Sequence, residues 1–151
     1  MIIYTILFLI IDILSKVIVC LSIDVNKSII MIKNFFSLTY VRNTGAAFSI
    51  FLGQRFFLII ISAIIIFTLI YYVIRHKPSN LYEKISFSMI IGGSIGNFLN
   101  RVFLGYVIDF LDFNLFGYDY PIFNLADSFI FVGVLLLLIE SWKVKKWILF
   151  H

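Results

Sequence analysis

Charged residues are scarce in this chain of 151 amino acids: 13% are Asp, Glu, Lys or Arg, against roughly 25% in typical soluble domains. Hydrophobic residues make up 62% of the chain, and its mean hydropathy is +1.09. A soluble domain of this length cannot cover so much apolar surface with so few charged groups. The shortage of charge therefore excludes an ordinary soluble protein and predicts a polytopic membrane protein.

Cysteine and histidine are nearly absent. The single cysteine, Cys20, excludes an intramolecular disulfide and a cysteine-based metal site. The two histidines, His76 and His151, are far apart, lie in or near basic segments and do not resemble metal ligands. We therefore expect no metal site. The net charge of +4 is modest and is explained by membrane topology, so we infer no nucleic-acid partner from it.

Four apolar runs are long enough to cross a membrane as helices, which takes about 20 residues each. They cover residues 2–22, 56–74, 85–103 and 125–142. The first run contains Asp12 and Lys16 and has no clean cleavage site, so we interpret it as a retained helix rather than a signal peptide. The expected fold class is an all-α membrane protein with four transmembrane helices, and residues 1–151 form a single domain.

The charges between the runs predict the orientation. Basic residues concentrate in the second connection and in the tail after the fourth run: Arg75, Lys77, Lys84, Lys143, Lys145 and Lys146. The positive-inside rule places both segments in the cytoplasm. The third connection carries acids and no base, as expected on the outer side. The first connection holds four basic residues, which argues weakly against placing it on the outer side. An even number of helices still puts both termini in the cytoplasm.

The first connection is too long for a tight turn. Its stretch FFSLTYVRNTGAAFSI is rich in aromatic and β-branched residues, with a turn signal at RNTG. We therefore expect a small β-rich element, covering about residues 24–53, on the outer membrane surface. The third connection, residues 104–124, is aromatic enough to lie in the membrane interface.

Polar residues within the apolar runs need an explanation, because burying charge in lipid is costly. Asp12 and Lys16 are four residues apart and share one helix face, where such a pair either joins helices or serves a function. In the third run Gly93, Asn97 and Arg101 follow one another at four-residue steps. Polar groups at this depth normally face a protein interior or a wet cavity.

Four acids, Asp109, Asp112, Asp119 and Asp127, allow six pairings, and spacing alone does not choose among them. Asp112 and Asp119 look more ordinary because they are nearer to loop residues. Asp127 opens an apolar helix, where it could be a plain N-terminal cap. From the residues alone, three functions stay open: a protease with a carboxylate pair, an ion- or proton-coupled transporter, and a non-catalytic scaffold subunit.

Four motifs, in order over nearly the whole chain, resemble those of the lipoprotein signal peptidases (signal peptidase II), which are bacterial membrane aspartic proteases. They are DILSK at 12–16, VRNTGAAFS at 41–49, GGSIGNFLNRVFLGYVIDF at 92–110 and FNLADS at 123–128. The resemblance implies that Asp109 and Asp127 are the catalytic aspartates. It also implies a set of residues that line or support the site: Asp12, Lys16, Asn43, Gly45, Gly96, Asn97, Arg101 and Asn124.

The same resemblance implies cleavage of a prolipoprotein just before its diacylglyceryl-modified cysteine, at the outer face of the bacterial cytoplasmic membrane, without a cofactor. The implied partners are prolipoprotein substrates and membrane lipids. We expect a monomer, because one chain contains every residue that the mechanism requires. The sequence departs from the family at Asn100, where relatives usually have an aspartate, which leaves open any ion pair at that position.

Overall fold

The helices of this computed structural model lie where the sequence has its apolar runs. The structure describes residues 1–45 and 51–150, and only the backbone of residues 143–150. The helices are α1 (Ile2–Ser22), α2 (Arg55–His76), α3 (Leu81–Phe103) and α4 (Leu125–Phe150). The strands are β1 (Ser28–Ile32), β2 (Phe36–Asn43), β3 (Val107–Leu115) and β4 (Tyr118–Asp119). Part of the second motif and of the predicted β-rich segment, residues 46–50, lies outside the described residues.

Three helical segments within the described residues are long and apolar enough to cross a membrane: α1, α2 and Leu125–Trp142 of α4. Helix α3 is less apolar and packs against the other three helices. Ten of its residues are buried, among them Gly93, Gly96 and Asn97. Polar groups are tolerated on α3 because its neighbours shield them from lipid.

The strands form one antiparallel sheet in the order β1-β2-β3-β4. Along the β2–β3 pair, Val41 lies opposite Asp109 and Arg42 lies opposite Ile108. Directly paired residues share a face of the sheet, and successive residues alternate between faces. Val41, Asn43 and Asp109 therefore define one face, which we name the acid face. The other, the α1 face, packs against the end of α1 through a buried cluster: Val19, Ile23, Tyr40, Ile108 and Phe110.

The sheet is larger than the sequence predicted. We expected β structure only in the first connection, but the third connection also contributes strands, so the expected all-α fold class is too narrow. Strands β3 and β4 come from the connection between α3 and α4, which we had expected only to lie in the interface. The first four residues of β3 are all buried, so the strand lacks the alternation of apolar and polar residues that marks a half-exposed strand. Gly105, at φ +86°, provides the left-handed turn that leads from α3 into β3.

Helices α3 and α4 come into close contact at Gly93. A Cβ atom on Gly93 would lie 2.5 Å from the carbonyl oxygen of Ala126, in the first turn of α4. The missing side chain lets the two backbones approach, as small residues do in membrane helix pairs. This contact brings the start of α4 beside the polar residues of α3.

We predict that Gly93→Ala weakens the α3–α4 contact, because the added methyl group meets backbone that cannot rotate away. Overpacking of this kind costs about 1–3 kcal/mol. Thermal unfolding of the purified protein in detergent should show a lower midpoint for this variant. Ser94→Ala, at the next position of the same helix, is the matched control. An equal loss in both variants would mean that the Gly93 contact is not the cause.

Candidate active site

Two of the four acids meet in one hydrogen-bonded network: Asp109 on the acid face of the sheet and Asp127 in the first turn of α4. Asn124 joins them. Its side-chain amide donates to Oδ1 of Asp109 at 2.6 Å, and its backbone N–H donates to Oδ2 of Asp127 at 3.2 Å. Asp112 and Asp119 accept hydrogen bonds from other side chains of the sheet. Of the six pairings that the sequence allows, the structure joins this one through a shared residue.

Asp109 is buried, with 3% of its surface exposed. Burial and the charge of Asp127 raise the pKa of Asp109 from its usual 3.8 to about 6, although hydrogen bonds from Asn43 and Asn124 act in the opposite direction. The side-chain amide of Asn43 donates to Oδ2 of Asp109 at 2.9 Å. A carboxyl group with a pKa near neutrality can both hold and release a proton, as general acid–base catalysis requires.

Asp127 takes part in the N-terminal cap of α4, but it is not the capping residue itself. Asn124 has that position: its Oδ1 accepts the backbone N–H of Asp127 at 3.0 Å. Asp127 returns the contact with Oδ2, which completes a reciprocal capping arrangement. Its second oxygen, Oδ1, accepts from the side-chain amide of Asn97 at 2.7 Å. Asp127 thus serves the helix end with one oxygen and the polar network with the other.

The buried ammonium of Lys16 fixes the orientation of Asn97. Lys16 Nζ donates to Oδ1 of Asn97 at 2.9 Å, and the amide of Asn124 donates to the same oxygen at 3.1 Å. With its oxygen held by two donors, Asn97 directs its NH₂ group toward Asp127. The lysine therefore acts on the acid pair through an intermediate amide.

Asp12 neutralises Lys16 and also binds the start of α4. Its Oδ2 lies 2.8 Å from Lys16 Nζ, and both side chains are buried. Its Oδ1 accepts the backbone N–H of Ala126 at 3.0 Å. Gly96 makes room for this carboxylate, because a Cβ atom there would collide with it. From the sequence, the pair of Asp12 and Lys16 could either join helices or serve a function. In the structure both residues contact the polar network directly.

Arg101, Gly45 and Asn43 lie beside the acids. Arg101 Nη2 donates to the carbonyl oxygen of Gly45 at 3.3 Å, and its charge interacts with both Asp127 and Asp109. The backbone N–H of Gly45 donates to Oδ1 of Asn43 at 2.9 Å, which turns the amide of Asn43 toward Asp109. The structure therefore places every site residue implied by the sequence in or next to one network.

Asn100, the departure from the family pattern, has a backbone partner. Its Oδ1 accepts the N–H of Ile108 at 3.1 Å, directly before Asp109 in β3. An uncharged amide oxygen is sufficient for this contact. Asn100 thus connects the end of α3 with the start of the strand that carries an acid.

Arg55 is a supporting residue that the sequence analysis missed. Its guanidinium donates to the carbonyl oxygens of Arg101 at 2.9 Å and Val102 at 2.6 Å, which caps the C-terminal end of α3. Its position could have indicated this role. A cation at the first residue of α2 is unfavourable beside the positive end of that helix's dipole, which suggests that Arg55 binds another part of the chain.

The described residues contain no group of three or more His, Cys, Asp or Glu side chains placed to hold a metal ion. Two carboxylates surrounded by amides and one buried lysine are instead suited to sharing protons, because two nearby carboxylates do not both ionise readily.

We predict a pH-dependent contribution of Asp109 to stability. Because its pKa is raised from 3.8 to about 6, the folded chain retains a proton that the unfolded chain releases between these values. The stabilisation is complete below about pH 4 and is lost as the pH rises through about 6. Asp109→Asn cannot titrate, so its stability relative to wild type should increase from pH 4 to pH 7, by up to about 3 kcal/mol.

Thermal unfolding in detergent at several pH values measures this difference. The matched control is Asp119→Asn, which removes an exposed carboxyl group of β4. A difference between wild type and Asp109→Asn that stays constant across the range would contradict the raised pKa.

A second prediction concerns the buried ion pair. Lys16→Met leaves Asp12 buried without its cation, and breaking such a pair costs about 3–5 kcal/mol. The double variant with Asp12→Asn and Lys16→Met removes the uncompensated charge and retains an acceptor for the N–H of Ala126. Thermal unfolding should therefore show a large loss for the single variant and a partial recovery in the double one. No recovery would mean that charge compensation is not what Lys16 supplies.

Known proteins are similar to this chain in sequence and in architecture. The family profile described as "Signal peptidase (SPase) II" matches residues 4–143. The "Lipoprotein signal peptidase" of Staphylococcus aureus strain MRSA252 is 40% identical over 132 residues, which cover 87% of this chain and 81% of the relative. The protein of the same description from strain JH9 is 39% identical over the same coverage.

Two solved structures of bacterial membrane enzymes, determined by the in meso method, superpose on this fold. The one at 2.3 Å resolution has a TM-score of 0.87 and 38% identity, covering 95% of this chain and 88% of its own. The one at 1.9 Å has a TM-score of 0.83 and 38% identity, covering 93% and 90%. With a sequence match over most of its length and the same fold, the chain belongs to the signal peptidase II family of membrane proteases.

Proposed function

We propose that this protein removes the signal peptide from prolipoproteins, by cleaving before a cysteine that carries a diacylglyceryl group. Family membership and the names of the relatives support the substrate class. The observation that carries the chemistry is the single residue, Asn124, bound to both carboxylates, which holds Asp109 and Asp127 in one site.

The proposed mechanism is general acid–base hydrolysis by the pair. Asp109 and Asp127 interact through their charges, which disfavours ionisation of both, so we propose that the reactive form of the pair holds one proton. The ionised carboxylate takes a proton from water as the water oxygen bonds to the scissile carbonyl carbon, and the protonated one donates to the carbonyl oxygen. The tetrahedral diol then collapses: the carboxyl group that took the water proton gives it to the amide nitrogen, and the C–N bond breaks. The other carboxylate takes back a hydroxyl proton, which leaves a carboxylic acid, an amine and the pair in its original state. We assign the titration to the pair rather than to either member.

The surrounding residues position this pair. Asn43 and Asn124 hold Asp109, whereas Asn97 and the N-terminus of α4 hold Asp127. Lys16 orients Asn97, and Asp12 binds the N-terminus of α4. Gly96 leaves room for the carboxylate of Asp12. Arg101 places a positive charge beside the acids, which favours the singly ionised state over the fully protonated one.

We further propose that α3 is a fourth transmembrane helix and that both termini lie in the cytoplasm. The basic residues Arg75, Lys77 and Lys84 lie at the end of the helices opposite to Asp127, and the positive-inside rule assigns that end to the cytoplasm. The acid pair then lies near the outer face of the bacterial cytoplasmic membrane. A transporter would instead be expected to hold such residues near the bilayer midplane.

In this arrangement the acyl chains of the substrate stay in the bilayer while its peptide bond enters the polar network. A single chain supplies all of the proposed catalytic and supporting residues, so we propose a monomer. The expected surroundings are membrane lipids and the signal helix of the prolipoprotein.

The decisive experiment is processing of a diacylglyceryl-modified prolipoprotein by purified wild type, Asp109→Asn and Asp127→Asn. The substitution preserves shape and abolishes the titratable group. We expect each variant to lose at least about a hundredfold in rate, since general acid–base groups contribute about 10²–10⁴-fold. Asp112→Asn, on the same strand as Asp109, should retain activity.

The folding of each variant is checked by thermal unfolding before its rate is compared. Near-normal cleavage by a folded Asp109→Asn or Asp127→Asn variant would refute the shared-proton mechanism. Loss of activity in Asp112→Asn as well would mean that the losses are not specific to the pair.

A further inference from the structure

A groove of about 270 Å³ lies between α1 and the junction of α3 with β3, on the side of the α1 face of the sheet. Its lining is mainly apolar: Ile13, Val17, Cys20, Leu21, Leu104 and Ile108. Leu21 and Leu104 are 83% and 45% exposed, so the groove opens outward rather than into the core. We name it the α1 groove. In a membrane-spanning protein such an opening faces acyl chains.

A cation lies on the same face of the sheet. Arg42 is exposed, and its guanidinium carbon lies 4.9 Å from the centre of the Tyr106 ring. Its Nε–H donates to the hydroxyl of Tyr40 at 3.2 Å. The ring contact and the hydrogen bond hold the side chain in one place, and a guanidinium has four further N–H donors.

Arg42 lies close to the groove wall. It lies directly opposite Ile108 in the β2–β3 pair, and Ile108 lines the groove. Tyr40, which accepts the hydrogen bond from Arg42, belongs to the buried cluster with Val19 and Ile23 at the end of α1. Since Cys20 is in the last turn of α1 and lines the groove, the guanidinium lies near the end of the groove that is next to the sheet.

An apolar groove with an ordered arginine near one end matches the shape and charge of a phospholipid. We propose that the α1 groove and Arg42 together bind an anionic phospholipid, with one acyl chain in the groove and the phosphate on the guanidinium. In the orientation proposed above, this lipid belongs to the outer leaflet. Arginine suits the role because its planar donors can bind two phosphate oxygens at once.

The site is distinct from the one proposed for the substrate. Arg42 and Ile108 are on the α1 face, whereas Asp109 and Asn43 are on the acid face. The diacylglyceryl group of a prolipoprotein also lacks a phosphate for Arg42 to bind. Lys16 and Asn100 contribute to the groove lining, so a bound acyl chain would pack behind the network that holds the acids.

The one cysteine of the chain provides the assay, because Cys20 is exposed and lines the groove. The full-length protein in maltoside micelles is treated with N-ethylmaleimide while dioleoyl phosphatidylglycerol is added. We expect the lipid to slow alkylation of Cys20. Two controls should protect Cys20 much less at equal concentration. Diacylglycerol has the acyl chains alone, and glycerol phosphate has the headgroup alone.

Arg42→Gln should raise the half-protecting concentration of phosphatidylglycerol about fivefold, since one basic residue near an anionic lipid surface contributes about that factor. Lys33→Gln removes one positive charge from the exposed turn between β1 and β2 and should leave protection unchanged. Arg42→Lys keeps the charge without the paired donors and should fall between Arg42→Gln and wild type.

Equal protection by diacylglycerol would overturn the assignment of the phosphate to Arg42, and so would equal losses in Arg42→Gln and Lys33→Gln. Native mass spectrometry gives a second readout: a retained phosphatidylglycerol adduct in wild type and Lys33→Gln, but not in Arg42→Gln. Absence of the adduct in wild type, or of any protection by phosphatidylglycerol, would refute the site. Neither readout depends on peptidase activity, so failure here leaves the proposed function intact.

Discussion

The arrangement of the site depends on one buried cation. Lys16 has its ammonium inside the protein because Asp12 compensates its charge and Asn97 accepts a second hydrogen bond from it. A lysine without such partners would be expelled toward water or would lose its proton. With them, it joins α1 to α3, and through Asp12 to the start of α4. The polar network can therefore form only when three helices have come together.

The N-terminus of α4 is where these constraints converge. Its first backbone N–H groups would be left without partners inside the helix, and two carboxylates and an amide satisfy several of them. Asp12 accepts from Ala126, Asn124 accepts from Asp127, and Asp127 accepts from Asn124. A helix end that has to be capped in a buried setting thus also holds an acid in a defined orientation.

Much of this organisation could be predicted from the sequence, and the misses have physical reasons. Apolar run length located the four helices, and the motif order pointed to Asp109 and Asp127. Strand β3 was missed because its first residues are buried on both faces, so no alternation marks it. Arg55 was missed because its partners are backbone carbonyls of another helix, which residue identity does not reveal.

The topology also sets the order in which the site can be assembled. Asn43 and Asp109 are 66 positions apart, on neighbouring strands, and the chain between them contains both α2 and α3. The strands cannot pair until those two helices have been synthesised and inserted, and Asp127 follows later still. A chain that is still being made therefore cannot bring Asp109 and Asp127 together before the start of α4 has been synthesised.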